Sequence, residues 1–476
     1  MNDNRADEQG RRAHGAATSG GRRDLLMIAE AKRILRLAWP IMLTGLNWTL
    51  MHLVDVAVVG HYGTGELAAL AASRILTFIS IVLGFSGLTG VLVFASRADG
   101  GGRLAETGDI LRSGLLLGLM LGLTAMAILG LSAYALLGLV GVEPSLRAPG
   151  AAVVRAMAFA FPAQFVLAAS SYFLEGISRP RRVMAVNLVM LPVNALLAWA
   201  WVGGHLGLPA WGAVGAACAT ASVSWAGAAL MLALVWTLPR AHERRVRDWS
   251  PASLRRAIAG VPKLAWFGLV PAIGASLELA GFAWLMVLST RLGDATAAAF
   301  QAMLSLHNLI FALSIGFGSA AGVRVGNAVG AGRRDLVWPR SMIAGGLSLV
   351  TLGGLSLILV VFARPLVRPF SNDPEVLVLA ASMLAIIAAF LAFDGLQYVF
   401  GAALRSLGEQ VWAGLNGIIG FFLITGGFGW LLVRAGWGPD GLAYAAGFGM
   451  LACAALQFGR LAFVLKLKPP PPAGGG

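Results

Sequence analysis

The sequence predicts an all-α integral membrane protein, with twelve transmembrane helices in two pseudo-symmetric six-helix bundles. Three observations support this. The chain of 476 residues is 58% apolar and only 12% charged, whereas a soluble domain is about 45–50% apolar and about 25% charged. Its apolar residues fall into twelve runs of about 20 residues or more, enough to cross a hydrocarbon layer roughly 30 Å thick. Its second half echoes the first at a near-constant offset.

The first six runs lie near 34–59, 66–95, 110–140, 150–177, 183–204 and 212–238. A basic stretch follows, "RAHERRVRDWSPASLRRAIAGVPK", residues 240–263. Six more runs lie near 264–290, 295–323, 338–363, 376–404, 411–433 and 441–465. Several exceed one span, so tilt or extension beyond the bilayer is expected. The predicted organisation is a disordered basic cytoplasmic arm (1–30), an N-terminal bundle (31–238), a cytoplasmic linker (239–262), a C-terminal bundle (263–466) and a disordered tail (467–476). The 62 glycines let helices approach closely where lipid supplies no hydrophobic drive.

Lysine and arginine fix the expected orientation. Twenty-nine flank the side that holds the two termini, the loops after even-numbered helices and the linker; Arg147, Arg291, Arg364, Arg368 and Arg434 flank the other side. Such a bias places both termini in the cytoplasm, in a plasma (inner) membrane. It also explains the net charge of +14 without nucleic acid, because the basic residues sit in short loops rather than on one binding face. The arm has no apolar core followed by a cleavage site, so it does not read as a signal peptide. Cys218 and Cys453 lie in apolar runs without Cys or His at metal-ligand spacing and read as small buried hydrophobes.

The repeat is visible position by position. "YGTGELAALAA" at 62–72 resembles "LGDATAAAFQA" at 292–302, and "GGGR" at 100–103 recurs as "GAGR" at 330–333. Gly63 pairs with Gly293 and Gly100 with Gly330 at an offset of 230; Pro40 pairs with Pro271 at 231, and Asn187 with Asn416 at 229. Six spans return the chain to its starting side, so the halves are parallel repeats about an axis along the membrane normal. A cleft between two such bundles is the expected place for a substrate.

The buried charges do not follow the repeat. Asp394 stands in an otherwise uncharged run from Val376 to Leu404, and Glu278 stands midway between Lys263 and Arg291. At a rise of roughly 1.5 Å per residue, both fall near mid-membrane, while Asp55 lies nearer the outer leaflet. An ionisable group at that depth costs at least about 2.5 kcal/mol and usually faces a cavity or a partner. Arg74 and Arg155 are candidate structural partners. Gln301, Asn194, Gln397 and Tyr398 are candidate cavity-lining groups. Two carboxylates in one bundle are most readily kept neutral, by a proton or a sodium ion. A lipophilic cation competing for the same negative cavity would give antiport.

These stretches resemble the multidrug and toxic compound extrusion (MATE) family. "VDVAVVGHYGTGELAALA" at 54–71 is similar to its first-helix signature, "AGVRVGNAVGAGRRD" at 321–335 to the end of its eighth helix, and "FDGLQYVFGAALRSLGEQ" at 393–410 to its tenth helix. The likeness spans roughly 34–465. It implies cation-coupled export of organic, often cationic, compounds, with Asp55, Glu278 and Asp394 at the places of the acids in the NorM-like branch. One departure is that Ala198 follows Asn194 by one turn where the archaeal pattern has an acid, which argues against an N-half proton site built from two acids.

The expectation is therefore a secondary active antiporter working by alternating access. Glu278, Asp394 and Asp55 would couple the cation and bind substrate. The coupling ion would be H+ or Na+, with Na+ able to sit at Glu278 and Asp394. No cofactor is expected. The expected partners are small-molecule organic cations and membrane lipid, and the protein is expected to be a monomer. The alternative is a flippase of lipid-linked precursors with a related core; extra spans and a cationic cavity would favour it. An enzyme is not expected, since there is no HExxH, and the glycine clusters lack the lysine and the strand-to-helix setting of a phosphate loop.

Overall fold

The computed structural model describes residues 25–466. Most of the predicted arm and all of the predicted tail lie outside the described residues. Among the described residues, ten helices are long and apolar enough to cross a membrane: α1 (Leu25–Tyr62), α2 (Thr64–Gly100), α3 (Leu104–Leu139), α5 (Pro180–Gly203), α6 (Gly212–Trp236), α7 (Pro251–Arg291), α8 (Asp294–Gly330), α9 (Arg334–Val361), α11 (Gln410–Arg434) and α12 (Gly438–Lys466). Two bent pairs complete the twelve: α4 (Pro144–Ala158 with Phe161–Gly176) and α10 (Pro374–Ala388 with Leu391–Leu407). No strand occurs among the described residues.

Two boundaries differ from the sequence expectation. Residues 25–30, assigned to the arm, already belong to α1. Glu30 there forms a paired hydrogen bond with Arg324 of α8, at 2.6 and 2.7 Å. The linker is also shorter than expected, because α7 begins at Pro251. The Ser250 side chain accepts from the Ser253 N–H at 3.3 Å, and Pro251 fills the first helical position, where no N–H is needed. The remaining linker folds back on the bundle. Asp248 Oδ1 accepts from the Ser250 N–H, and Arg112 donates to the Arg245 carbonyl.

The repeat survives as geometry. α4 bends by 46° after Ala158 and α10 by 44° after Ala388, two positions that the repeat makes equivalent. Pro162 explains the first bend, because its ring would clash with the carbonyl one turn back and it has no N–H to donate. No proline marks the second. There the Phe390 ring occupies the space left by the missing side chain of Gly447 and meets Phe448 edge-on at 5.5 Å. The same bend is thus produced by different residues.

Each bundle has its own core, one within residues 51–264 and one within 285–453. A third core is shared between the bundles. It joins Ile34, Leu37 and Leu92 of the first half to Phe317, Val399 and Leu461 of the second. All six lie in the parts of their helices nearest the arginine-rich loops. The shared core therefore joins the bundles over their arginine-rich halves.

Small residues make this junction possible. A side chain on Gly100 of α2 would strike the Asn327 backbone of α8, and one on Gly330 would strike the Arg97 carbonyl. On the flanks, Gly45 of α1 faces Ala312 of α8, and Gly268 of α7 faces Gly87 of α2. Polar links reinforce the closure: Arg97 Nε donates to the Ser406 carbonyl at 3.0 Å, and Arg340 joins the Glu30–Arg324 pair at 3.4 Å.

Gly330→Val should force the arginine-rich ends apart while leaving each bundle's own core intact. A cysteine placed at Ser96, fully buried here, is expected to label with a polar maleimide several-fold faster in the Gly330→Val background than in its absence. Equal rates would show that the junction does not depend on this contact.

Candidate functional site

Two acid sites form, one in each bundle, and they differ. In the N-terminal bundle Asp55 is 9% exposed. Its carboxylate accepts from Asn194 Nδ2 at 2.8 Å and from Thr220 Oγ1 at 3.1 Å. α1, α5 and α6 therefore meet at this one side chain. Thr220 also reaches Asn194 Oδ1 at 3.4 Å, so the three polar groups close a small network. Arg74 of α2 lies within electrostatic reach of Asp55. A cavity of about 50 Å³ adjoins the network, with His52, Asp55, Arg74 and Thr220 on its wall. That is room for about one or two waters, not for an organic guest. Arg155, the other suggested partner, is exposed.

In the C-terminal bundle a second acid joins the first. Asp394 is 2% exposed and lies in the first turn after the bend of α10. It accepts from Ser314 Oγ of α8 at 2.8 Å and from Gln397 Nε2 at 3.4 Å. Glu278 of α7 is half-buried and lies within electrostatic reach of Asp394. Among the described residues neither acid takes part in a salt bridge, and Arg405 of α10 lies within electrostatic reach of Glu278. Two carboxylates thus lie within electrostatic reach of each other without a counter-ion bonded to either, an arrangement that a proton, a sodium ion or an organic cation would stabilise.

The other sequence candidates divide. Gln397 joins the Asp394 site directly, and its Oε1 also faces Cys453 Sγ at 3.7 Å. Tyr398 is half-buried and meets the Phe311 ring edge-on at 5.0 Å. Asn194 belongs with Asp55. Gln301 has an exposed side chain, and none of the bonds to Glu278 or Asp394 involves it. α7 remains one helix through Pro262 and Pro271.

Two buried titratable groups escaped the sequence reading. His307 of α8 is 5% exposed and lies within electrostatic reach of Asp394. Glu175 of α4 is 5% exposed and accepts from Ser319 of α8 at 3.1 Å, so it ties the two bundles together. The repeat held a signal for Glu175: its offset carries this acid onto Arg405, so an acid and a base occupy equivalent places in the two halves. Nothing in the spacing singled out His307.

Known proteins share this frame. The MatE family model matches the chain twice, over residues 40–200 and 271–431. The chain belongs to the MatE family. The two matched blocks begin at Pro40 and Pro271, the offset of 231 found in the sequence. A Caulobacter vibrioides protein described as a probable multidrug resistance protein NorM is 31% identical over 430 residues, covering 87% of this chain and 88% of that protein. The Yersinia pestis multidrug resistance protein MdtK is 24% identical over 92% of this chain and 96% of its own length. Among solved structures, the eukaryotic MATE transporter AtDTX14 superposes with a TM-score of 0.81 at 19% identity, covering 93% of this chain and 97% of that one. The Vibrio cholerae MATE transporter VcmN gives the same TM-score and identity over 93% and 98%. The chain is thus a multi-pass membrane protein with the MATE fold and NorM-like relatives.

Asn194→Leu removes the shortest hydrogen bond to Asp55. A bond to a charged group is worth about 1.5–3 kcal/mol, so a clear fall in Tm is expected in detergent by a thiol-independent dye or scattering assay. An unchanged Tm would mean that the Asp55 network does not hold α1 against α5.

Proposed function

We propose that this MatE-family protein exports organic compounds, lipophilic cations foremost, in exchange for H+ or Na+ by alternating access. The observation that supports it best is the Glu278–Asp394 pair, two carboxylates within electrostatic reach of each other with no salt-bridge partner among the described residues. The multidrug resistance names of the NorM and MdtK relatives agree with this reading.

The arginine-rich ends face the cytoplasm in this proposal, in an inner membrane, with both termini inside. The junction described above is then the closed inner gate, and the bundles part toward the outside. An external proton or sodium ion neutralises the acids and releases the organic cation outward. Closure at the outer end and parting at Gly100 and Gly330 would present the loaded site to the cytoplasm. There the ion leaves, the carboxylates recover their charge, and another organic cation enters. Since the ion and the guest occupy one negative site, only a loaded state reorients. One elementary charge moved across 100 mV supplies about 2.3 kcal/mol, a concentration ratio near fifty.

Asp55, already satisfied by Asn194 and Thr220, serves mainly to fix three helices of the N-terminal bundle. The protein acts as a monomer, since both acid sites are built within one chain. The flippase reading expects additional spans and a cationic cavity; the acid-lined site does not favour it.

Efflux of a fluorescent organic cation from proteoliposomes, under separately imposed proton and sodium gradients, tests the proposal. Asp394→Asn and Glu278→Gln should each lower gradient-driven efflux at least tenfold while leaving yield and gel-filtration profile unchanged. Asp55→Asn should act more mildly. Full transport by both C-half variants would overturn the site assignment, and dissipation of both gradients without effect on wild-type efflux would overturn the exchange itself.

A further inference from the structure

His307 is placed where an ordinary core histidine has little reason to be. It lies on α8, two turns from Ser314, the residue that bonds Asp394. Positions seven apart share a face of a helix, so the imidazole and Ser314 both point into the acid site. Its ring is flanked by Phe282 of α7, with centroids 6.1 Å apart and planes within 27°, and by Phe311 at 6.1 Å. Phe282 in turn lies one turn from Glu278 on α7. The imidazole therefore packs against the helix that carries Glu278 and lies within electrostatic reach of Asp394, with aromatic rings on two sides.

One of its nitrogens is unspent. Nε2 is buried and has no hydrogen-bond partner among the described residues. A buried donor or acceptor left unmade costs about 1–3 kcal/mol, so in a native structure it calls for an explanation. Aromatic packing alone is served as well by phenylalanine and leaves nothing unsatisfied. A histidine is warranted if the nitrogen is used in another state of the cycle.

The neighbouring charges say which use. α7 contributes Glu278; α10 contributes Asp394, Tyr398 and, further along, Arg405; α12 contributes Cys453. Glu30 of α1, Arg97 of α2, Glu175 of α4 and Arg340 of α9 approach α8 only near its arginine-rich end. The local balance is two acids to one imidazole. Sodium prefers a shell of oxygen ligands, and imidazole nitrogen is a poor addition to one. A proton suits it, because imidazole changes charge within about pH 5–8.

We propose that His307 is a third proton-binding group of the Glu278–Asp394 site, which makes the coupling ion H+ and sets its histidinium against the organic cation. This rests on the exchange reading given above and deepens it. With the guest bound, the imidazole is neutral and both acids face the positive ligand. When protons enter, one is held at His307 Nε2, and like-charge repulsion helps expel the guest. The site then releases one proton more per guest than carboxylates alone would.

Binding of tetraphenylphosphonium to the purified full-length protein in detergent, measured across about pH 5–8, tests this. Each proton displaced on binding adds tenfold per pH unit to the dependence of Kd. Wild type should show a steeper pH dependence than His307→Gln, by close to one proton at the steepest point. Proton release into weak buffer should fall by the same amount. Replacing Na+ with choline should leave the wild-type Kd unchanged. Should His307→Gln fail to yield a monodisperse protein, His307→Phe keeps the aromatic packing and must show the same loss. Equal slopes in wild type and variant, or guest release by Na+ at fixed pH, would overturn the inference about His307 alone. A wild type that binds the cation with neither pH nor Na+ dependence would overturn the exchange reading instead.

Discussion

The structure turns on one close contact: the backbones of α2 and α8 touching at Gly100 and Gly330, where no side chain fits. These two glycines are repeat equivalents, so the contact lies on the pseudo-two-fold axis and each half contributes the same feature to it. Around it gather a shared apolar core, the Glu30–Arg324 pair and the Glu175–Ser319 bond. The shared core lies toward one end, while the Gly45–Ala312 approach carries contact between the halves to mid-helix. Dispersion between closely packed backbones, rather than a hydrophobic drive, holds such a contact in lipid.

Pseudo-symmetry governs the scaffold and stops at the chemistry. The two bends, 46° and 44°, are nearly equal, although one uses a proline and the other an aromatic wedge. The acids break the pattern. Asp55 spends its oxygens on Asn194 and Thr220 and binds three helices together. Asp394 has a hydroxyl and an amide as partners and a second carboxylate nearby. The first arrangement lowers the cost of a fixed buried charge, and the second leaves part of that cost to be met by something that comes and goes. Two unlike sites on one repeated frame give the halves different tasks in a single cycle.

Much of this was legible in the chain. Twelve apolar runs, the arginine asymmetry and the 229–231 offset specify the fold class, because a bilayer permits little besides helices and because a duplicated segment must fold twice alike. Asp394 and Glu278 stood out for the same reason: charge in oil is rare enough to notice. His307 and Glu175 were harder to find. Histidine is unremarkable in composition, and Glu175 sits near the end of its run, where an acid reads as interfacial. Gln301 looked like a lining residue because it interrupts an apolar run, yet helical phase turns it away from the acids, and phase at a helix end is the least certain feature of a sequence pattern.

Sequence by itself determined the number and apolarity of the spans, the duplication, and the depth of the acids, since these depend on counting residues along one helix. Tertiary structure decided which helices meet. It put Asn194 and Thr220 on Asp55, brought α7, α8 and α10 together around Glu278, Asp394 and His307, and placed the core shared by the halves toward the arginine-rich end. Depth is a one-dimensional property that a linear pattern can encode. Lateral neighbours depend on how twelve helix faces are shared among partners, and no local spacing records that choice.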